Sequence, residues 1–233
     1  MKLEAEDVVM RFEGLTALGG VDLAIEQGEI LGLIGPNGSG KTTLLNVVSG
    51  ILAPTRGAFR LGSRSWHALS APEAARLGIR RTFQNVRLFA DMTALETVEV
   101  AAAALGSGDR RVQALGALHE LDFLQHRERI ATELPYGLQR RLEIARAVAG
   151  RLEFLLLDEP AAGLNNAESD DLVHIIRGIR DRHGCGVVLV DHDLRVIMTA
   201  CSRIVVLNEG KVVSEGSPEY VRKDPAVIRA YLG

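Results

Sequence analysis

The chain has 233 residues, enough for one large domain, or a domain carrying a subdomain, with a substantial buried core. It is 47% hydrophobic and 24% charged with few aromatics, the composition of an ordinary soluble α/β protein. The formal net charge is −3 with both signs interspersed, so there is no nucleic-acid footprint and nucleic acid is not expected as a partner.

The pairs Arg80-Arg81 and Arg140-Arg141 are too short to form basic tracts and read as solvated faces. The start, Met1 to Asp7, is acidic and lacks an apolar h-region, which argues against a signal peptide. No apolar run approaches the ~18 residues a membrane span needs. Cys185 and Cys201 lack metal-ligand spacing and each adjoins an apolar strand, which predicts two reduced structural thiols in a cytosolic protein.

In chain order, Leu3 to Met10 and Val21 to Glu26 read as strands of an antiparallel layer, with Phe12 in the turn after the first. Ile30 to Ile34 reads as a short buried strand, and a helix begins near Leu44. Pro54 to Gly57 is a turn, and Ala58 to Leu61 another strand. Ser70-Ala71-Pro72-Glu73 carries helix-start chemistry, Gly78 closes that helix, and Ile79 to Phe83 is a strand.

From about Gln84 to Thr132 the texture becomes helical. Thr93 to Glu96 looks like a capping box before an Ala-rich helix to about Leu105, broken at Gly106-Ser107-Gly108-Asp109. A second helix covers roughly Arg110 to Leu124, with Val112, Leu115, Leu118 and Leu121 near helical spacing. A Gly-containing turn then opens a long amphipathic helix with Leu142, Ala145 and Val148 on one face.

The α/β pattern resumes with Phe154 to Leu157 and Val187 to Val190, strands apolar on both faces as in a covered parallel sheet. A helix from Asn166 to His183 lies between them. Ile204 to Leu207 and Lys211 to Val213 flank a turn at Asn208-Glu209-Gly210, and two short helices start at Ser217-Pro218-Glu219 and Asp224-Pro225-Ala226.

Four stretches carry chemistry. The first is Gly35-Pro36-Asn37-Gly38-Ser39-Gly40-Lys41-Thr42-Thr43, a complete phosphate-binding P-loop pattern between a strand and a helix. Gly35, Gly38 and Gly40 let the backbone curl so that N–H groups point inward, above the positive end of the helix dipole. Lys41 can reach the β- and γ-phosphates, and the Thr42 hydroxyl can take one position on Mg²⁺.

The second is Asp158-Glu159-Pro160 at the end of a buried strand, where open α/β sheets bind ligands. Asp158 can hold Mg²⁺ directly or through water, and Glu159 suits orienting and polarising an attacking water. The third, Asp191-His192-Asp193, ends another strand at the same sheet edge. The fourth is Glu133 to Ala147, whose helix N-terminus is able to bind an anion.

In this order and spacing the chain resembles, over essentially its whole length, the ATP-binding subunit of an ABC transporter. The resemblance implies one ABC ATPase domain: an α/β P-loop NTPase core, mostly parallel sheet with an antiparallel β layer, at 1–83 and 150–233. A helical subdomain would occupy approximately 84–149. Gly35 to Thr43 looks like the Walker A loop, Phe154 to Glu159 the Walker B strand with its catalytic glutamate, and Ala161 to Asn165 the D-loop. Gln84 looks like the Q-loop glutamine, joining Thr42 and Asp158 as metal ligands, and His192 like the switch histidine. Phe12 matches an aromatic that stacks on adenine. Pro135, Tyr136, Gly137 and Leu138 look like the signature, which contacts nucleotide in trans.

The signature form Tyr136-Gly137, the runs Gln139 to Arg146 and Asp158 to Asn165, and the ending Asp224 to Gly233 resemble the ATPase of branched-chain amino acid importers. That implies ATP and Mg²⁺ as cofactors and a second, different ATPase subunit as partner, with a homodimer possible in isolation. Two transmembrane permease subunits, and indirectly an external substrate-binding protein, complete the expected assembly, with this subunit cytoplasmic at the inner face of the membrane. Two departures stand out: Pro135 and Tyr136 replace the usual serine and first glycine, and Asn165 replaces the D-loop aspartate. Other readings are an ATPase of urea or amide import, one of lipopolysaccharide export, and, outside the family, a small P-loop kinase. Translation and repair ATPases with paired domains or long coiled-coil arms do not fit this length.

Overall fold

A computed structural model of the protein describes residues 1–84, 87–104 and 108–232. Asn85, Val86, the expected helix end at Leu105, the Gly106-Ser107 break and Gly233 lie outside the described residues.

The chain opens with β1 (Lys2–Phe12) and β2 (Leu15–Glu26), joined at Glu13-Gly14. Both turn residues take positive φ, 38° and 98°, as a two-residue I′ hairpin requires. Phe12 is therefore the last residue of a strand and not part of the turn, and β2 begins six residues earlier than its apolar run suggests. After β3 (Ile30–Ile34) and α1 (Lys41–Val48) come β4 (Arg56–Leu61), β5 (Arg64–Trp66) and α2 (Ala71–Arg76). β5 was not expected; it pairs antiparallel with β4 and stacks Trp66 on Phe59. The Ser70–Glu73 capping box starts α2 as read from sequence.

β6 (Ile79–Arg81) is shorter than the expected Ile79–Phe83: its register with β7 (Phe154–Asp158) runs over residues 79–81, and Thr82 N makes the last backbone bond to the Leu156 carbonyl. Between them lie α3 (Ala94–Ala104), α4 (Arg110–Glu120) and α5 (Tyr136–Val148). Thr93 and Glu96 form the expected capping box of α3. α4 ends at Glu120, short of Leu124, and its buried face is Ala114, Ala117 and Leu118, leaving Val112 in solvent.

The chain finishes with α6 (Asn166–His183), β8 (Gly186–Val190), α7 (Leu194–Ala200), β9 (Arg203–Asn208), β10 (Lys211–Gly216), α8 (Pro218–Lys223) and α9 (Pro225–Leu232). α7 had no sequence counterpart in the reading above. Its start is fixed by the Asp193 carboxylate, which accepts from Arg195 N at 2.8 Å.

Two sheets result: a six-stranded one in the order β10-β9-β3-β8-β7-β6 and a four-stranded one in the order β2-β1-β4-β5. The first is parallel except for β10, and the second is antiparallel throughout. The central strands alternate between two apolar layers. Ile30, Leu155, Leu157, Val187 and Ile204 face the helices α3–α7, while Leu31, Leu33, Leu156, Val188 and Val205 face α1 and the antiparallel sheet. Burial on both faces explains their near-continuous hydrophobic runs. It also places the carboxyl ends of β3, β7 and β8 along one edge, each followed by a loop.

Three of the four paired arginines are not solvated as expected, Arg141 alone staying part-exposed against Asp171. Arg80 and Arg140 are buried, and the Arg81 side chain is only 4% exposed. Each sits where an edge strand or the α5 helix packs against loop backbone, so its guanidinium finds carbonyls and carboxylates instead of water. Cys185 and Cys201 are free and buried. Among the described residues no helix is long and apolar enough to cross a membrane.

Candidate functional site

The P-loop joins β3 to α1. Two of its glycines are demanded by the chain's own packing: a Cβ on Gly35 would lie 2.0 Å from the Leu207 carbonyl oxygen, and one on Gly40 2.7 Å from that of Ala17. Gly38 faces open space and is selected only by its φ of +78°. Gly40 caps α1 in the left-handed conformation, with no side-chain cap and no acidic residue in the first turn. The positive helix end therefore keeps its attraction for an exogenous anion. Lys41 Nζ donates to the carbonyls of Gly35 at 2.8 Å and Pro36 at 3.0 Å. Burial pushes its pKa down, while the carboxylates of Glu159 and Asp158 pull it back up.

This loop floors a cleft of about 510 Å³. Phe12, Leu15 and Ala17 line it with Asn37, Gly38, Ser39, Gly40, Lys41, Thr42 and Thr43, and so do Glu159 and His192. Phe12 is 41% exposed, so its ring offers a free face. Apolar surface, phosphate-type donors and a carboxylate thus share one concavity, as a nucleoside polyphosphate requires.

Glu159 sits at φ +52°, a left-handed conformation costly for a residue with a Cβ. Its N–H donates to the Val190 carbonyl at 2.8 Å, which fixes it to the end of β8. One carboxylate oxygen accepts from Gln84 Nε2 at 2.9 Å, and the other lies 2.9 Å from His192 Nε2. Three residues separated widely in sequence therefore meet at one carboxylate.

Asp191 had no role in the sequence reading. It is buried and accepts from Ala161 N and Asp193 N, both at 2.9 Å, tying together the loops after β7 and β8. Burial pushes its carboxyl above the usual range despite those bonds. Its one signal was position: an acid directly after an apolar strand has to find donors nearby.

Asp158 Oδ2 is held by Arg81 Nη2 at 2.7 Å, while Oδ1 is buried without a partner. Arg140 and Glu143 of α5 were also missed. The Arg140 guanidinium donates to the carbonyls of Phe83 and Gln84, and Glu143 accepts from Phe83 N at 3.1 Å. The segment carrying Gln84 is thus bound to α5 through its backbone.

Pro135 immediately precedes α5 and Gly137 lies inside its first turn, so the glycine belongs to the helix and not to the turn before it. Pro135, Gly137 and Leu138 line a separate hollow of about 150 Å³ with Leu164 and Glu168. None of residues 135–138 lines the P-loop cleft. Tyr136 is exposed and packs over Gly163, where a Cβ would come within 3.0 Å of its ring. Asn165 caps α6, accepting from Glu168 N at 3.0 Å, a task an amide performs as well as a carboxylate.

A hollow of about 220 Å³ is lined by Ile51, Ile79, Phe83 and Arg146 among others. Leu88 packs partly into the helical core, while Phe89 stays exposed beneath the Arg146 guanidinium.

A family profile described as "ABC transporter" matches residues 18–162, and one described as "Branched-chain amino acid ATP-binding cassette transporter" matches residues 211–233. The chain is 42% identical to the high-affinity branched-chain amino acid transport ATP-binding protein BraF of Pseudomonas aeruginosa, over 99% of this chain and 97% of that one. The ADP conformation of MJ1267, an ATP-binding cassette of an ABC transporter, superposes with a TM-score of 0.91 at 26% identity, covering 100% of this chain and 99% of that one. The dimeric post-hydrolysis structure of the cassette MJ0796, bound to ADP and Pi, superposes with a TM-score of 0.83 at 28% identity, covering 93% and 98%.

Proposed function

Because this chain belongs to the ABC transporter family as one of its ATPase subunits, we propose that it powers a membrane importer of branched-chain amino acids. The observation that carries the ATPase chemistry is the Glu159 carboxylate, held between Gln84 and His192 at the wall of the P-loop cleft. The substrate reading is supported by the likeness to BraF and by the family match at residues 211–233. That C-terminal match favours amino-acid import over lipopolysaccharide export.

In this reading adenine stacks on Phe12, and the phosphates lie along the N–H groups of residues 37–43 with Lys41 beside them. Lys41 exchanges the carbonyls of Gly35 and Pro36 for phosphate oxygens of higher charge. Glu159 orients and polarises the attacking water, and His192 and Gln84 fix the carboxylate from either side.

Magnesium fits the residues present. The buried, unpartnered Oδ1 of Asp158 and the Thr42 hydroxyl are hard oxygen donors of the kind this ion takes, with Gln84 the third candidate. No group of three or more His, Cys, Asp or Glu that could hold a metal occurs among the described residues. When bound, the ion neutralises phosphate charge.

Because Pro135, Gly137 and Leu138 line a hollow apart from the cleft, residues 135–138 would serve a second cassette, completing its nucleotide site in trans. A dimer with a different ATPase subunit, two permease subunits and an external binding protein makes up the proposed assembly. This subunit would sit at the cytoplasmic face, with 84–149 acting as a helical subdomain. Its exposed Phe89, with the hollow that Arg146 shares with it, would receive a permease helix. Nucleotide affinity of Lys41→Ala tests the cleft: each lost charged hydrogen bond is worth roughly 1.5–3 kcal/mol, so binding should weaken at least about tenfold with the fold intact. Wild-type affinity in that variant would contradict the assignment.

A further inference from the structure

Arg81 and Asp158 form an ion pair sealed from solvent, with Nη2 2.7 Å from Oδ2 and side chains only 4% and 2% exposed. β6 and β7 run parallel with Arg81 level with Leu156, so Asp158 is the next residue on the same face of β7. That face looks toward α1, and the second arm of the guanidinium donates to Asn46 Oδ1 of α1 at 2.6 Å. The arginine thus spans from the helix that follows the P-loop to the strand that carries the acid. Only one oxygen of Asp158, the unpartnered Oδ1, remains to be used.

A fully buried carboxylate ordinarily has both oxygens satisfied, and a buried cation ordinarily neutralises its partner completely. Here neutralisation and satisfaction are separated: the pair is charge-balanced while one acceptor, Asp158 Oδ1, and one donor, Arg81 Nε, are left over. Lys41, whose ammonium feels the Asp158 carboxylate, is a second cation within electrostatic reach. A metal approaching Asp158 therefore meets a directed acceptor backed by opposing positive charge.

We infer that Arg81 is a positioning residue that sets how strongly Asp158 attracts a divalent cation, by fixing one carboxylate oxygen and offsetting the charge offered by the other. The inference rests on the reading of the cleft as a metal–nucleotide site. Its consequence is that the carboxylate alone holds a cation weakly, so that the metal enters and leaves with the phosphates that supply the remaining charge.

Manganese binding to the full chain with ADP, followed by electron paramagnetic resonance, tests this without recourse to turnover. Asp158→Asn leaves Arg81 uncompensated and should weaken manganese binding at least about tenfold, since an unopposed buried cation repels the metal over a few ångströms. Adding Arg81→Met removes both buried charges together, an exchange such pairs tolerate. This double variant should recover at least about threefold of the lost affinity, a coupling that distant, independent sites do not show. Thermal melts establish folding; if Asp158→Asn does not fold, Arg81→Lys/Asp158→Asn supplies the positively charged reference. Equal manganese affinities with and without the positive charge would overturn the inference and leave Arg81 a purely structural residue. Failure of the wild-type chain to bind manganese with ADP would overturn the reading of the cleft as well.

Discussion

The Tyr136 hydroxyl accepts a hydrogen bond from Arg140 Nε at 3.0 Å, and the guanidinium also lies over the Tyr136 ring, 5.2 Å from its centroid. The same guanidinium donates to the carbonyls of Phe83 and Gln84. Gln84 in turn reaches Glu159. A continuous chain of contacts therefore runs from the start of α5 to the carboxylate in the P-loop cleft. Tyr136, expected from the sequence to stand at the first glycine of a signature, supplies the first link.

Cutting that chain at Arg140 should affect both stability and turnover. Arg140→Ala takes from the buried Glu143 the nearer of its two cations and leaves only Arg146, so it should cost up to about 3–5 kcal/mol. Arg140→Lys keeps a charge but not the fork, so it should stay folded while ATP hydrolysis falls and nucleotide affinity holds. Urea unfolding and ATPase assays on the two variants check this. Full activity in Arg140→Lys would show that the clamp on Gln84 does not matter to turnover.

Glu143 gives a pH signature. Burial raises its carboxyl pKa above the usual value, with the Phe83 N–H, Arg140 and Arg146 opposing the shift only in part. An acid whose pKa is higher in the folded state contributes stability that is present below its unfolded value and is lost as pH rises through its folded value. Wild-type stability should therefore gain relative to Glu143→Gln when pH is lowered from 7 toward 4. Urea midpoints of both proteins across that range measure it, and parallel curves would contradict the assignment.

Pro135 bears on asymmetry between the two nucleotide sites of the proposed heterodimer. Proline supplies neither a hydroxyl nor an N–H, while the N–H groups of Tyr136 and Gly137 and the helix dipole remain. One hydrogen bond to a charged group is worth roughly 1.5–3 kcal/mol, so the partner's site should be weakened and not destroyed. Pro135→Ser should strengthen ATP binding at that site, and the glutamate-to-glutamine change here should cost the heterodimer more activity than its counterpart in the partner. Equal losses would show that the signature serine does not set the difference.

Much of this was legible in the sequence because it depends on local chemistry. The P-loop, Asp158, Glu159 and His192 each follow an apolar strand, and strand order in a parallel sheet brings such ends to one edge. What stayed hidden depends on tertiary contacts. Arg81 and Arg140 read as surface charges because their partners, Asp158 and the Phe83–Gln84 backbone, lie 56 to 77 residues away. Phe12 read as a turn residue because β1 continues two positions beyond its apolar alternation before Glu13-Gly14 reverses the chain. α7 is only seven residues long, too short for helical periodicity to stand out beside the β8 run.

The measurement that bears most directly on the whole account is ATP binding and hydrolysis by Glu159→Gln. The amide keeps the size and the contacts' reach but cannot act as a base toward water. The variant should bind ATP with wild-type affinity, hydrolyse it at least about a hundredfold more slowly, and accumulate an ATP-bound dimer. Hydrolysis reduced less than about tenfold, with ATP still bound, would contradict the account, because the carboxylate held between Gln84 and His192 would then not be the group that activates water.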